Sequence, residues 1–136
     1  SGLYIVSFAH VLFCIPFFIL IMRSRLMNFD LSIEEAARDL GSNPSRVLRT
    51  ITFPIILPSI IGACILVFAV SLDEFIITNL VIGANTTIPT YIWGMMRYGL
   101  TPTANSLSSI MIIISVFLVI FSSLVMKNQK TKIFSN

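Results

Sequence analysis

Three stretches without formal charge decide what this chain can fold into. They run from Ser1 to Met22, from Thr50 to Leu72 and from about Ala104 to Met126. At about 1.5 Å of rise per helical residue, each is long enough to cross the roughly 30 Å hydrocarbon core of a bilayer. Only 11% of the residues are charged and 56% are hydrophobic, whereas soluble domains carry about 25% charged residues. That deficit excludes an ordinary soluble fold. A helix satisfies its own backbone donors and acceptors, so three spanning helices over about residues 3–22, 54–73 and 104–126 are expected.

A fourth uncharged run, Phe75–Met96, is long enough to span but unsuited to it. Thr78, Asn79, Gly83, Asn85, Thr86, Thr87, Pro89 and Thr90 make its centre polar and turn-rich. A loop over about 82–88 and a short amphipathic segment over 90–100 are expected instead. Tyr91, Trp93, Arg97 and Tyr98 suit an interfacial anchor there; an aromatic binding box is the rival use.

Within the spans, Pro16, Pro54 and Pro58 are placed where membrane helices accommodate proline. Ser59, Gly62, Ala63, Leu66, Val70 and Asp73 share one helical face, and Ser108, Ser115 and Ser122 recur every seven residues. Small residues on a stripe let helices approach closely, so the first face is expected to meet protein or a pathway rather than lipid, and the second to be a packing ridge. Cys14 and Cys64 lie in apolar runs without partners at ligand spacing, which reads as buried packing rather than metal or disulfide chemistry. His10 is the one histidine and lies inside the first span, as a packed side chain or as a functional intramembrane group. Asp73 and Glu74 close the second span. They read either as a solvated helix end or as carboxylates on a cation pathway, the more so because acidic groups at a helix C-terminus oppose its dipole.

The lysines and arginines set an orientation. Arg23, Arg25, Arg38, Arg46 and Arg49 fall in the first connecting loop, Lys127, Lys130 and Lys132 in the tail, and only Arg97 between the last two spans. By the positive-inside rule the loop over 28–53 and the tail over 127–136 are cytoplasmic, and 74–103 lies outside. Three crossings make these assignments mutually consistent. The tail is expected to fray. The chain starts in an apolar run without a charged leader, and is expected to be the C-terminal part of something longer.

Between the first two spans lies a compact polar segment. Ile33, Ala36, Ala37 and Leu40 make one apolar face; Ser32 and Glu35 have capping-box spacing; Gly41 stands at the expected helix stop. Asn43-Pro44 reads as N-cap and first residue of a second short helix, with Val47, Leu48 and Ile51 on one side.

Glu35-Ala36-Ala37, then Gly41, then, after nine intervening residues, Ile51-Thr52-Phe53-Pro54 match the EAA motif. The segment resembles that of inner-membrane permease subunits of ATP-binding cassette importers, with Phe53 where leucine is commoner. From Ser71 to Lys127 the chain is similar to the spermidine/putrescine branch of these permeases. The resemblance implies an all-α integral membrane fold: three transmembrane helices of a six-helix type I importer permease, with a cytoplasmic coupling helix. It implies that Glu35, Ala36, Ala37, Arg38, Asp39 and Gly41 dock against a cytoplasmic ATP-binding subunit. It further implies a second permease subunit, an external solute-binding protein and a polyamine substrate, in a bacterial inner membrane; Asp73 and Glu74, read as carboxylates on a cation pathway, would suit such a substrate. No cofactor, metal or nucleic acid is implied. A phosphate-cradling G-x-x-x-x-G-K-[ST] run is absent from the sequence, so ATP hydrolysis is assigned to a separate chain. The same architecture for an amino acid, an opine or iron, or a membrane scaffold that only recruits a partner, are the alternatives.

Overall fold

The computed structural model describes residues 2–99 and 101–133, the last six of these by backbone alone. Seven α-helices follow one another: α1 (Gly2–Met27), α2 (Ser32–Asp39), α3 (Pro44–Val47), α4 (Phe53–Asp73), α5 (Ile76–Val81), α6 (Ile88–Met96) and α7 (Pro102–Ile133). No strand occurs among the described residues. Three helical stretches are long and apolar enough to cross a membrane: Gly2–Met27, Pro44–Asp73 and Pro102–Lys127. The run Phe75–Met96 does not span; it divides into α5, a turn and α6.

The bundle is organised around α4, which packs most extensively on α7 and also on α1. Small residues set that spacing. Gly62 and Ala63 are buried on α4, and Ser122 of α7 is 0% exposed, its hydroxyl donating to the Gly62 carbonyl at 2.6 Å. A Cβ at Gly62 would collide with Met126 Cγ, so glycine there is what lets the two backbones approach. Most large apolar side chains of α1 and α7, among them Phe8, Leu12, Leu20, Ile113, Phe117 and Leu124, point away from the bundle. In water that surface would be unfavourable; facing lipid or further helices it is the ordinary exterior of a spanning bundle.

Four expectations need correcting. The polar tail after Met126 is helical as far as Ile133, because lysine, asparagine, glutamine and threonine sustain a helix once one is under way. Ahead of the loop expected over about 82–88, residues Ile76–Val81 form α5, an element not expected from the sequence. Cys64 is exposed, whereas Cys14 is buried and its thiol points to the Val67 carbonyl at 3.8 Å. The fourth correction, the capping box of α2, is described below. The amphipathic segment expected to reach Leu100 is α6, which ends at Met96; Leu100 itself and residues 134–136 lie outside the described residues.

Candidate functional site

Two places carry polar chemistry on this apolar scaffold, one at the arginine-rich end of the bundle and one at the opposite end. At the arginine-rich end, α2 begins without the expected Ser32–Glu35 box. Backbone bonds from Glu34 and Glu35 to the Leu31 carbonyl start the helix one residue earlier, which places Ser32 inside the first turn. Asp30 takes over: its Oδ1 accepts the Ser32 N–H at 3.0 Å. Hydrogen bonds from the Ser32 side chain and backbone hold the Asp30 carboxyl below its usual range.

The helix stops where Gly41 adopts φ +82°. The Ser42 N–H reaches the Ala37 carbonyl and the Gly41 N–H the Arg38 carbonyl, the paired bonds of a Schellman turn. Asn43 then caps α3, its side chain accepting from the Ser45 N–H at 3.4 Å with Pro44 following. Helix, glycine turn and helix make a knob whose two ends are both closed by local hydrogen bonds.

The link from this knob to the bundle is a π-helical turn over Leu48–Thr52. Phe53 donates to the Leu48 carbonyl, five residues back. Pro54, which has no N–H and whose ring crowds the carbonyl four residues earlier, gives the wider turn a local cause. Because the turn preserves helical direction, Pro44–Asp73 is one uninterrupted rod. It also changes which side chains face inward. A 3.6-residue period sets Ile51 beneath Val47, but the π turn brings Thr52 there instead: Val47 is 2% exposed and Thr52 7%. Leu48, expected on the same side, is exposed.

Thr52 then meets α2. Its hydroxyl donates to Glu34 Oε1 at 2.6 Å, while Glu34 Oε2 accepts from Arg38 at 3.0 Å. Glu34, not Glu35, therefore ties the knob to the rod. Of the motif residues, Ala37 is buried against the chain and Arg38 is held by Glu34. Glu35, Ala36 and Asp39 lie exposed together with Leu40, which is 87% exposed. These four fall within one arc of the helix, since residues one, four and five apart share a side. The apolar face that amphipathic spacing reveals thus points largely outward. An unburied leucine at the tip of a rigid knob, ringed by carboxylates, is a surface suited to another protein.

At the opposite end, α4 does not run out of the bundle; it breaks. Glu74 adopts an extended conformation (ψ 108°), and α5 starts two residues later. Glu74 is half-buried, and its Oε1 accepts the Ile77 N–H at 3.0 Å, capping α5. Asp73 is exposed. The structure thus separates the two carboxylates: one is engaged in holding the chain, the other faces outward. Phe75, in the break, packs at a tilt against Trp93 of α6 with centroids 5.1 Å apart, so one ring of the aromatic cluster is engaged with the break while Tyr91 and Tyr98 remain exposed.

His10 stands beside this break. Its Nδ1 lies 2.8 Å from Ser71 Oγ of α4 and its Nε2 2.7 Å from Thr78 Oγ1 of α5. Thr78 is 1% exposed and gives its single hydroxyl proton to the Glu74 carbonyl at 2.8 Å. It therefore accepts from His10, which puts a proton on Nε2, while Nδ1 shares the second hydrogen bond with the Ser71 hydroxyl. Packing and hydrogen bonding here are one fact: the imidazole joins three helices. Sequence spacing holds no sign of it, because positions 10, 71 and 78 meet only through the tertiary fold.

The sequences of other proteins agree in kind with this architecture. The family described as binding-protein-dependent transport system inner membrane component matches residues 3–134. The chain is similar to the spermidine/putrescine transport system permease protein PotC of Escherichia coli K12, 35% identical over 132 residues, which are 96% of this chain and 50% of that protein. The corresponding PotC of Haemophilus influenzae is 37% identical over 129 residues, 94% of this chain and 50% of that one. The putrescine transport system permease protein PotI of Escherichia coli K12 is 39% identical over 112 residues, 82% of this chain and 40% of that one. The chain spans about half the length of the curated relatives it matches. A match across almost all of its length, on a bundle of three helices able to span a membrane with a capped knob at one end, shows that the chain belongs to the family of inner-membrane components of binding-protein-dependent transport systems.

Proposed function

We propose that this chain forms part of the translocation pathway of an ATP-driven importer and takes up motion from a separate ATP-binding subunit through its α2–α3 knob. One observation carries the proposal. The knob presents Glu35, Ala36, Asp39 and Leu40 outward while its base continues without interruption into the membrane-spanning α4. A rigid body joined to a continuous rod transmits displacement, whereas a loose loop would absorb it. The arginines around the knob and Lys127 in α7 support a cytoplasmic position for this end and an outer one for the α4–α5 break, by the positive-inside rule. ATP hydrolysis then belongs to the partner, and an external solute-binding protein and a second permease subunit complete the assembly.

Polyamine is the substrate supported by the relatives, three of which are named for spermidine or putrescine. Its cationic amines suit the exposed Asp73 carboxylate at the end of α4, where helix carbonyls add negative potential. The test is reconstitution of the full permease with its partners in proteoliposomes. Spermidine-loaded binding protein should stimulate ATP hydrolysis and drive spermidine accumulation. Hydrolysis that ignores the loaded binding protein would refute the importer reading, and stimulation by another solute alone would refute the polyamine.

A further inference from the structure

The imidazole of His10 does something that neither knob nor carboxylates explain. Measured along α1 at about 1.5 Å per residue, it lies roughly 20 Å from Arg23 at the basic end, well inside the apolar thickness. An ionisable side chain at such depth is costly unless its partners are built in. Here both ring nitrogens have partners, and the partners belong to the two helices on either side of a break.

The geometry of the break shows why that matters. Ser71 sits in the last turn of α4 and Thr78 in the middle of α5, with Asp73, Glu74 and Phe75 between them. Backbone bonds through this connection are few: the Glu74 N–H reaches the Ser71 carbonyl at a long 3.4 Å. Nothing helical therefore fixes the angle between α4 and α5. What fixes it are side chains. Thr78 closes on the Glu74 carbonyl, Glu74 closes on the Ile77 N–H, and His10 holds Ser71 and Thr78 at once. Further along, α5 lies so close to the start of α1 that a Cβ at Gly2 would strike the Ile82 carbonyl, and Ile82 is buried there. Gly83, at φ +68°, then turns the chain away.

We propose that His10 is a positioning residue for the α4–α5 break: by bridging Ser71 and Thr78 it holds α5 shut against α1 and so sets where the Asp73 carboxylate stands. On the permease reading, on which its functional meaning rests, that break is the outer mouth of the pathway. Release of the Nε2–Thr78 bond frees α5 to swing about Glu74 while the Ser71 bond keeps α1 and α4 together.

The test uses the full permease, assembled with its partners in nanodiscs, carrying Cys14→Ala and Cys64→Ala and a reporter cysteine at Ile82→Cys. A membrane-impermeant maleimide reports how often α5 leaves α1. His10→Phe and Thr78→Val, which keep bulk but lose the bond, should label about tenfold faster, the change that the loss of one buried hydrogen bond brings. The decisive pair is His10→Gln and His10→Asn. The glutamine amide nitrogen reaches the position of Nε2, so His10→Gln should label at nearly the parental rate. Asparagine reaches only the position of Nδ1, so His10→Asn should label as fast as His10→Phe. A residue that merely fills space would show no such ordering; equal labelling of His10→Gln and His10→Asn overturns the proposal. Labelling reads the hydrogen bonds whether or not the complex transports. The Gln/Asn difference in a complex that imports no polyamine would uphold the positioning role and refute the transport reading; equal labelling in an active importer would do the reverse.

Discussion

Thr52 gives its proton to a carboxylate that is mostly shielded from water, so this one charge-assisted hydrogen bond is a strong local tie between knob and rod. Thr52→Val keeps the shape and removes the donor. Allowing for the partial exposure of Glu34, it should loosen α2 by about 1–2 kcal/mol, visible as faster hydrogen exchange across Ser32–Asp39, with α4 unaffected. Asp30 provides a second check. Its carboxyl titrates below the usual range in the folded knob, so the bonds to Ser32 add stability above the unfolded carboxylate's range, lost as pH falls through the folded one. Protection of the first turn of α2 should therefore drop in acid, and Asp30→Ala should abolish that dependence. At the other end, Asp73→Asn should lower spermidine uptake by about tenfold, the cost of one weakened charge contact, while binding-protein affinity stays unchanged. Wild-type uptake would remove Asp73 from the pathway.

Between elements, the α4–α7 crossing rests on Gly62 and Ser122. Gly62→Ala forces Met126 aside and presses on the Ser122 carbonyl; overpacking of this kind costs about 1–3 kcal/mol. Ser122→Ala should cost about 0.6–1.7 kcal/mol. Denaturation of the purified permease in detergent measures both. This level is also where reading from sequence succeeds and where it stops. The spans, the glycine turn and the serine ridge are legible because charge, φ preference and side-chain size act at the residue that carries them. Glu34 and Thr52 are not, because one π turn moved the inward position from Ile51 to Thr52. The capping box failed for a related reason: the helix began at the Leu31 carbonyl, leaving Ser32 one residue too far in. His10 is illegible for a third reason, since its partners are about sixty residues away and brought near only by packing.

At the scale of the whole molecule, one rod joins the polar knob to the α4–α5 break. On the proposed function, motion given to the knob at Ser32–Val47 would pass along Pro44–Asp73 to the α4–α5 break beside His10. The claim on which this depends is that the exposed face of α2 is where the ATP-binding subunit docks. It is tested by capturing the detergent-solubilised full permease and measuring the ATP-binding subunit retained with it, for the wild type, Leu40→Asp and Glu35→Lys. Both substitutions lie on exposed positions that leave the Glu34–Thr52 tie and the Gly41 turn in place. Retention should fall at least about tenfold for Leu40→Asp, as burying an unpaired charge in an interface demands, and clearly for Glu35→Lys. Wild-type retention in both variants, with the permease still folded, would contradict that docking.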